Sequence, residues 1–229
     1  MIDPLEEPTP TQCLNCDFVA VGSYCPDCGQ AKTVGPLRVR EILGGALTSI
    51  VALESPILRT TWGLLRAPGR TASDWIGGQR KRYTNPGQYY VILGVIFTML
   101  IRLNAVDAPT HEKGDATYQL SGFVQEYIAF VLMIIAIPFA PIAGLLSRWL
   151  GVMRSAVDWY VLFLYCLGIS LLLLMGKDLL PESMTRYWAF VPVVFLLWGS
   201  CQFDSRPARS LAVGVLTMTV WFAILAGIR

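Results

Sequence analysis

The chain is 229 residues long, 54% hydrophobic and only 15% charged, and its mean hydropathy is +0.52. These values exclude an ordinary soluble globular domain and indicate a membrane protein. The net charge of +2 hides an uneven distribution, because residues 1–55 are acidic and residues 56–86 are strongly basic. A basic block ahead of a long apolar region is typical of a segment at a membrane surface.

The N-terminal region holds four cysteines in two closely spaced pairs. Residues 1–12 are acidic and proline-rich, so we expect a short disordered tail and no signal peptide. Residues 13–30 then carry the spacing C-x2-C-x8-C-x2-C at Cys13, Cys16, Cys25 and Cys28. Two thiolates on one tight turn can reach the same tetrahedral metal ion, and a second pair completes its coordination. The spacing predicts a zinc ribbon.

Four cysteine ligands leave no position for water or substrate, so the predicted Zn2+ is structural. Iron in a rubredoxin-like site is the chemical rival, and zinc is favoured because no other redox element accompanies the knuckles. Reduced thiols place the ribbon in the cytosol, since an oxidising compartment favours disulfides. The ribbon lacks a basic aromatic surface, so we expect a protein partner and no nucleic acid.

Residues 36–84 show helical periodicity without being apolar enough to cross a bilayer. Helices are predicted from Pro36, from Pro56 to Pro68 and from Thr71 to Ile76. The second of these carries the apolar residues Ile57, Leu58, Trp62, Leu64 and Leu65. Either the helices lie on the cytoplasmic leaflet with arginines among the headgroups, or their apolar faces pack against the ends of the spans. The pattern leaves both placements open.

Basic side chains concentrate just before the first apolar span, at Arg66, Arg70, Arg80, Lys81 and Arg82. Positive charge at this place holds the start of the first span in the cytoplasm, and this topological role is the one we favour. The alternative is recognition of an anionic lipid headgroup, to which each basic residue would contribute about 1 kcal/mol.

Residues 86–229 contain five segments long and apolar enough to cross a bilayer as helices. They are 87–106, 126–147, 157–176, 187–203 and 209–228, and the fourth is the shortest. Thirteen basic residues fall on the side of the N-terminus and five on the other, which places the N-terminus in the cytoplasm and the C-terminus outside. The predicted fold is an all-α integral membrane helical bundle of about five spans, with an N-terminal zinc ribbon and interfacial amphipathic helices.

Two stretches resemble a known family. Cys25-Pro26-Asp27-Cys28 is followed by Gly29-Gln30, and residues 64–93 read LLRAPGRTASDWIGGQRKRYTNPGQYYVIL. Both resemble the bacterial multi-pass membrane family labelled domain of unknown function 3667, in which a zinc ribbon ending in C-G-Q precedes a P-G … G-x-R-x-x-Y-x-x-P segment. The resemblance implies a bacterial inner-membrane location and no particular activity. Members often carry histidines in a middle span, whereas residues 157–166 have none.

The sequence contains none of the usual catalytic motifs, and its spans hold no pair of carboxylates. We therefore expect no enzyme but a membrane-anchored interaction or scaffold module whose ribbon recruits a protein. The alternative is a transporter or lipid-handling protein for an apolar or amphipathic substrate, with spans kinked at Pro138, Pro141 and Pro192. An intramembrane enzyme would need a site built from residues such as Asp158, Tyr165 and Cys166. The oligomeric state is left open.

Overall fold

The computed structural model describes residues 11–20, 22–35, 37–38, 42, 56–106, 139–176, 187 and 190–227. Two short antiparallel strands, β1 (Thr11–Gln12) and β2 (Val19–Ala20), precede helices. The helices are α1 (Pro56–Arg66), α2 (Pro68–Ile76), α3 (Pro86–Val106), α4 (139–150), α5 (Ala156–Leu174), α6 (Val191–Gln202) and α7 (Pro207–Gly227). The prediction of a mainly helical fold is confirmed.

Several predictions from the sequence fall on residues outside this description. These are the disordered tail up to residue 10, most of the helix expected from Pro36, Pro138, and the first part of the span predicted over 126–147.

Helix α5 is the central helix of the fold. Its first turn is closed by a capping box, in which Ser155 Oγ accepts the Asp158 N–H at 3.2 Å and Asp158 Oδ2 accepts the Ser155 N–H at 2.8 Å. Residues 159–171 are all buried except the half-buried Phe163. Helices α1, α2, α3 and α6 all pack against α5, which explains why its sequence is apolar on every side.

Helix α5 is also the one described helix with both the length and the apolarity to cross a membrane, at a mean hydropathy of 2.0. Shorter apolar stretches lie within α3 (Pro86–Leu100), α6 (Val191–Gln202) and α7 (Pro207–Val220). A buried core helix of a soluble protein meets the same criterion, and two thirds of the apolar stretch of α5 is buried inside the protein. Membrane association thus has weak support from this helix, and the number of five spans stays a prediction.

Helices α1 and α2 pack against the helical body through their inner faces. Thr60 and Leu64 are the buried residues of α1, and α2 buries Ala72 and Trp75 among others. Helix α2 contacts both α5 and α6, and α1 contacts α2 and α5. Of the two placements that the sequence leaves open, the described contacts correspond to packing against the other helices.

The start of α3 is fixed by hydrogen bonds to α1 and α5. The Thr84 N–H donates to Thr60 Oγ1 at 2.8 Å, and the Tyr165 hydroxyl donates to the Thr84 carbonyl at 2.5 Å. The hydroxyls of Thr61 and Tyr89 share a further hydrogen bond at 3.0 Å. Helix α1 therefore lies beside the first turn of α3.

The end of α6 is held by Arg154, which lies just before α5. Arg154 Nη2 donates to the Phe203 carbonyl at 2.6 Å and to Ser73 Oγ at 3.1 Å, and its guanidinium lies 4.6 Å from the Phe203 ring centre. The Ser73 hydroxyl donates to the same carbonyl at 3.1 Å. A cation and a hydroxyl thus stabilise a carbonyl at a helix C-terminus and join α2 to α6.

We expect Gly69→Ala to destabilise the helical body. A β-carbon at this position would overlap the Gly199 carbonyl oxygen and lie 2.8 Å from the backbone carbon of Gln202. Overpacking of this kind typically costs about 1–3 kcal/mol. Thermal unfolding of the purified protein should show a lower midpoint. Gly35→Ala is the control, because an added β-carbon there has no neighbour within 4 Å; equal midpoints for both variants would contradict the close α2–α6 packing.

Candidate metal centre

The two cysteine pairs adopt the same local structure. In each knuckle the N–H of the first cysteine donates to the carbonyl five residues later, and its carbonyl accepts the N–H four residues later, at 2.9–3.0 Å. These bonds join Cys13 to Phe18 and Asp17, and Cys25 to Gln30 and Gly29. The residue after each second cysteine has a left-handed φ, 62° at Asp17 and 69° at Gly29. The two knuckles therefore contain the same type of turn.

The four sulfurs lie together as the spacing predicts. Cys13 Sγ is 3.6 Å from Cys28 Sγ, and Cys16 Sγ is 3.6 Å from Cys25 Sγ, so each close pair takes one sulfur from each knuckle. All four sulfurs lie within 4.8 Å of one another, and none forms a disulfide. Sulfurs bound tetrahedrally at 2.3 Å from zinc would be separated by about 3.8 Å. The donor set fits a four-coordinate metal ion.

The thiols differ in how readily they ionise. The Asn15 backbone N–H lies 3.5 Å from Cys13 Sγ, and this bond is the largest of the effects that lower the pKa of Cys13 to about 7. At Cys16 the Phe18 backbone N–H also favours the thiolate, but burial and the neighbouring thiols outweigh it and raise the pKa. Adjacent thiolates repel one another, so full ionisation of the set requires a cation among them.

The ribbon is docked on residues 77–82, which we call the basic turn. The side-chain amide of Gln30 makes the central contact, with Nε2 donating to the Gly78 carbonyl at 2.7 Å and Oε1 accepting the Lys81 N–H at 3.2 Å. Gln30 is only 5% exposed. One ribbon side chain therefore satisfies both a donor and an acceptor of the main chain of the basic turn.

The first knuckle also contacts the basic turn. Asn15 Oδ1 accepts the Arg82 N–H at 2.9 Å. Leu14 packs on Gly78, whose φ is +115°, and a β-carbon there would lie 2.9 Å from Leu14 Cδ1. Gly78 is therefore required both by its backbone conformation and by the space that Leu14 occupies.

The five basic residues singled out in the sequence have different surroundings. Arg80 is half-buried, donates from Nη2 to the Gly35 carbonyl at 3.1 Å and lies 5.5 Å from the Trp75 ring centre. The other four, Arg66, Arg70, Lys81 and Arg82, are exposed. The structure thus places Arg80 against the protein and leaves the other four side chains at the surface.

The polar residues considered for an intramembrane site have separate structural partners. Asp158 caps α5, the Tyr165 hydroxyl bonds to the Thr84 carbonyl, and Cys166 Sγ lies 3.5 Å from the Phe195 carbonyl. The described contacts do not join them into one constellation.

Sequence reasoning assigned no role to Asn15 and none to the Gln30 side chain beyond its place in C-G-Q. The one signal in the sequence was that C-G-Q and Gly78 both match the family pattern. Nothing in the spacing pairs residues that lie 48 positions apart.

Comparison with protein families gives a match to part of the chain. Residues 54–98 match the family described as Protein of unknown function (DUF3667), which confirms the family resemblance. The match covers α1, α2, the basic turn and the first part of α3, and the cysteine knuckles lie outside it. Searches of curated proteins and of solved structures found no match.

Proposed function

We propose that this chain, whose residues 54–98 match the domain of unknown function 3667 family, is a membrane-anchored interaction module. In this proposal a structural zinc ribbon presents a protein-binding surface at the cytoplasmic face of a bacterial inner membrane. The observation that carries the proposal is a closed four-cysteine cluster fixed on the helical body through Gln30. The alternative of a transporter or lipid-handling protein stays a prediction.

Zinc is the metal that this cluster favours. Four cysteine sulfurs in two knuckles form the ligand set of structural zinc sites and leave no coordination position for a reacting molecule. The metal would be bound by Cys13, Cys16, Cys25 and Cys28 and would stabilise the two knuckles against each other. A ribbon of this size cannot bury a core large enough to fold without such a constraint.

The ribbon exposes apolar side chains that its own fold does not cover. Phe18, Val19 and Tyr24 are all exposed, and the acidic residues Asp17 and Asp27 lie beside them in the chain at exposed positions. Exposed aromatic and aliphatic side chains of this kind are typical anchors of protein interfaces. The expected partner therefore offers apolar pockets and basic side chains.

The helical body supports the anchoring part of the proposal. Helices α3, α6 and α7 carry large apolar residues on their outer faces, among them Met99, Val194 and Val215. Outward apolar residues around an apolar central helix are what a bundle in lipid requires. The five spans and a cytoplasmic N-terminus remain the topology that we propose.

Crosslinking and affinity capture with the full-length protein test the recruiting role. We expect Cys13→Ser with Cys16→Ser to lose the captured partner, because the ribbon then lacks half of its ligands. Cys201→Ser is the matched control, since Cys201 lies in α6, outside the cluster, and this variant should retain the partner. Recovery of the same proteins with the wild type, the double cysteine variant and Cys201→Ser would show that the ribbon does not recruit them.

A further inference from the structure

We infer that the outer face of α1 binds the surface of an anionic phospholipid bilayer. In this inference Leu58 and Trp62 enter the interfacial layer, and Arg59 and Arg66 contact lipid phosphates. The inference rests on the proposed membrane anchoring and adds to it a specific lipid-contacting surface.

The outer face of α1 carries large apolar side chains at positions that would be polar in a helix that faces water. The inner face buries Thr60 completely, and its hydroxyl is satisfied because it donates to the Pro56 carbonyl at 2.7 Å and accepts the Thr84 N–H. On the outer face Leu58 is 78% exposed and Trp62 is 57% exposed. Because the inner face also buries Leu64, α1 carries large apolar side chains on both faces, which indicates that its outer face contacts something less polar than water.

Positive charge accompanies the exposed apolar pair. Leu58, Trp62 and Arg66 follow one another at intervals of four residues and form one stripe, and the Arg66 guanidinium lies 4.4 Å from the Trp62 ring centre. Arg59 is exposed beside this stripe, and α1 contains no acidic residue. A tryptophan with stacked and flanking arginines matches the headgroup layer of an anionic membrane, where apolar rings and phosphates lie side by side.

The position of α1 places this stripe where a bilayer surface is expected. Thr60 binds Thr84, which lies two residues before the start of α3 at Pro86, and Thr61 binds Tyr89 in the first turn of α3. Helix α3 is the first predicted span. A helix held beside the first turn of that span lies at the level of the lipid headgroups if α3 crosses the bilayer.

Fluorescence quenching in nanodiscs tests the contact with lipid. The full-length protein is reconstituted with phosphatidylglycerol and phosphatidylcholine carrying a nitroxide quencher near the headgroup, and the Trp62 signal is the difference between wild type and Trp62→Phe. We expect this difference signal to be strongly quenched. Trp75→Phe is the control: Trp75 is 3% exposed, so its difference signal should be quenched little.

The arginines are tested through lipid preference. Removal of both charges in Arg59→Gln with Arg66→Gln should lower the preference for spin-labelled phosphatidylglycerol over phosphatidylcholine by about fivefold per arginine. Lys32→Gln, a charge change two residues after the ribbon, should leave the preference unchanged. An unchanged preference in the double variant would overturn the headgroup contact.

The outcomes separate this inference from the function on which it rests. Release of the wild-type protein from membranes by an alkaline wash would overturn the membrane anchoring itself. Retention in the membrane with an unquenched Trp62 would overturn only the lipid contact, and it is also the result expected if a protein covers this face.

Discussion

Purified protein is expected to contain about one equivalent of zinc, and Cys25→Ser is expected to abolish its binding. Cys25 is buried, and its sulfur lies 3.6 Å from that of Cys16 in the other knuckle. Structural zinc in small domains contributes roughly 10–16 kcal/mol, far more than a few buried side chains in residues 13–30 can supply. Elemental analysis measures the metal, and amide exchange of residues 13–30 measures the loss of structure.

Cys166→Ser serves as the control, because Cys166 lies in α5 and bonds to a carbonyl of α6 rather than to the cluster. This variant should keep its zinc. Iron in place of zinc, or a disulfide between Cys13 and Cys28 in freshly reduced protein, would contradict the assignment of the metal.

Gln30→Ala is expected to loosen the docking of the basic turn on the ribbon, which Asn15 and Leu14 then maintain alone. The substitution leaves the Gly78 carbonyl and the Lys81 N–H without their partner, and each buried group left unsatisfied costs about 1–3 kcal/mol. Hydrogen exchange at the Lys81 amide should accelerate by about 10–100-fold if 1.4–2.8 kcal/mol of local stability is lost. The zinc content should remain, since Gln30 is not a ligand.

Gln79→Ala is the matched control for this experiment, because the Gln79 side chain accepts only a long contact of 3.4 Å from Arg82 at the surface. Exchange at Lys81 should be unchanged in it. Removal of zinc from the wild-type protein with a chelator should reproduce the effect of Gln30→Ala. Protection of Lys81 that survives both treatments would show that the basic turn is ordered without the ribbon.

The cysteine cluster could be predicted because its information is local. Two residues between cysteines define a turn, and two such turns supply four ligands, whatever the rest of the chain does. Helix α5 was predictable for a similar reason, since an apolar stretch such as 157–176, predicted as a span, specifies a helix without knowledge of its neighbours. Its first turn, capped by Ser155 and Asp158, marks where the helix begins.

The docking of the ribbon could not be predicted, because it depends on main-chain groups. Gln30 recognises a carbonyl and an N–H of the basic turn, and these groups are the same in every residue, so they leave no trace in the sequence. The basic residues illustrate the same limit. The sequence presents Arg80 as one charge of a block, whereas its guanidinium bonds to the Gly35 carbonyl.

The sequence did not show which face of α1 is buried either. Apolar periodicity groups Leu58 and Trp62 with Leu64, yet Leu64 is buried and the other two are exposed. Thr60 takes the inner position because its hydroxyl has both a donor and an acceptor there. A polar residue whose hydrogen bonds are satisfied can replace an apolar one in a buried position, and only the tertiary structure shows that it does so.

The pairing of Gln30 with the basic turn has a consequence for the biosynthesis of the chain. The ribbon leaves the ribosome 48 residues ahead of Gly78, so it can acquire its metal before the basic turn is translated. The finished ribbon then offers a surface on which residues 77–82 dock, and α3 begins only four residues after that turn. If the proposed zinc ribbon and membrane anchoring hold, a nascent chain that fails to load metal would therefore present its first predicted span for insertion without a fixed starting point.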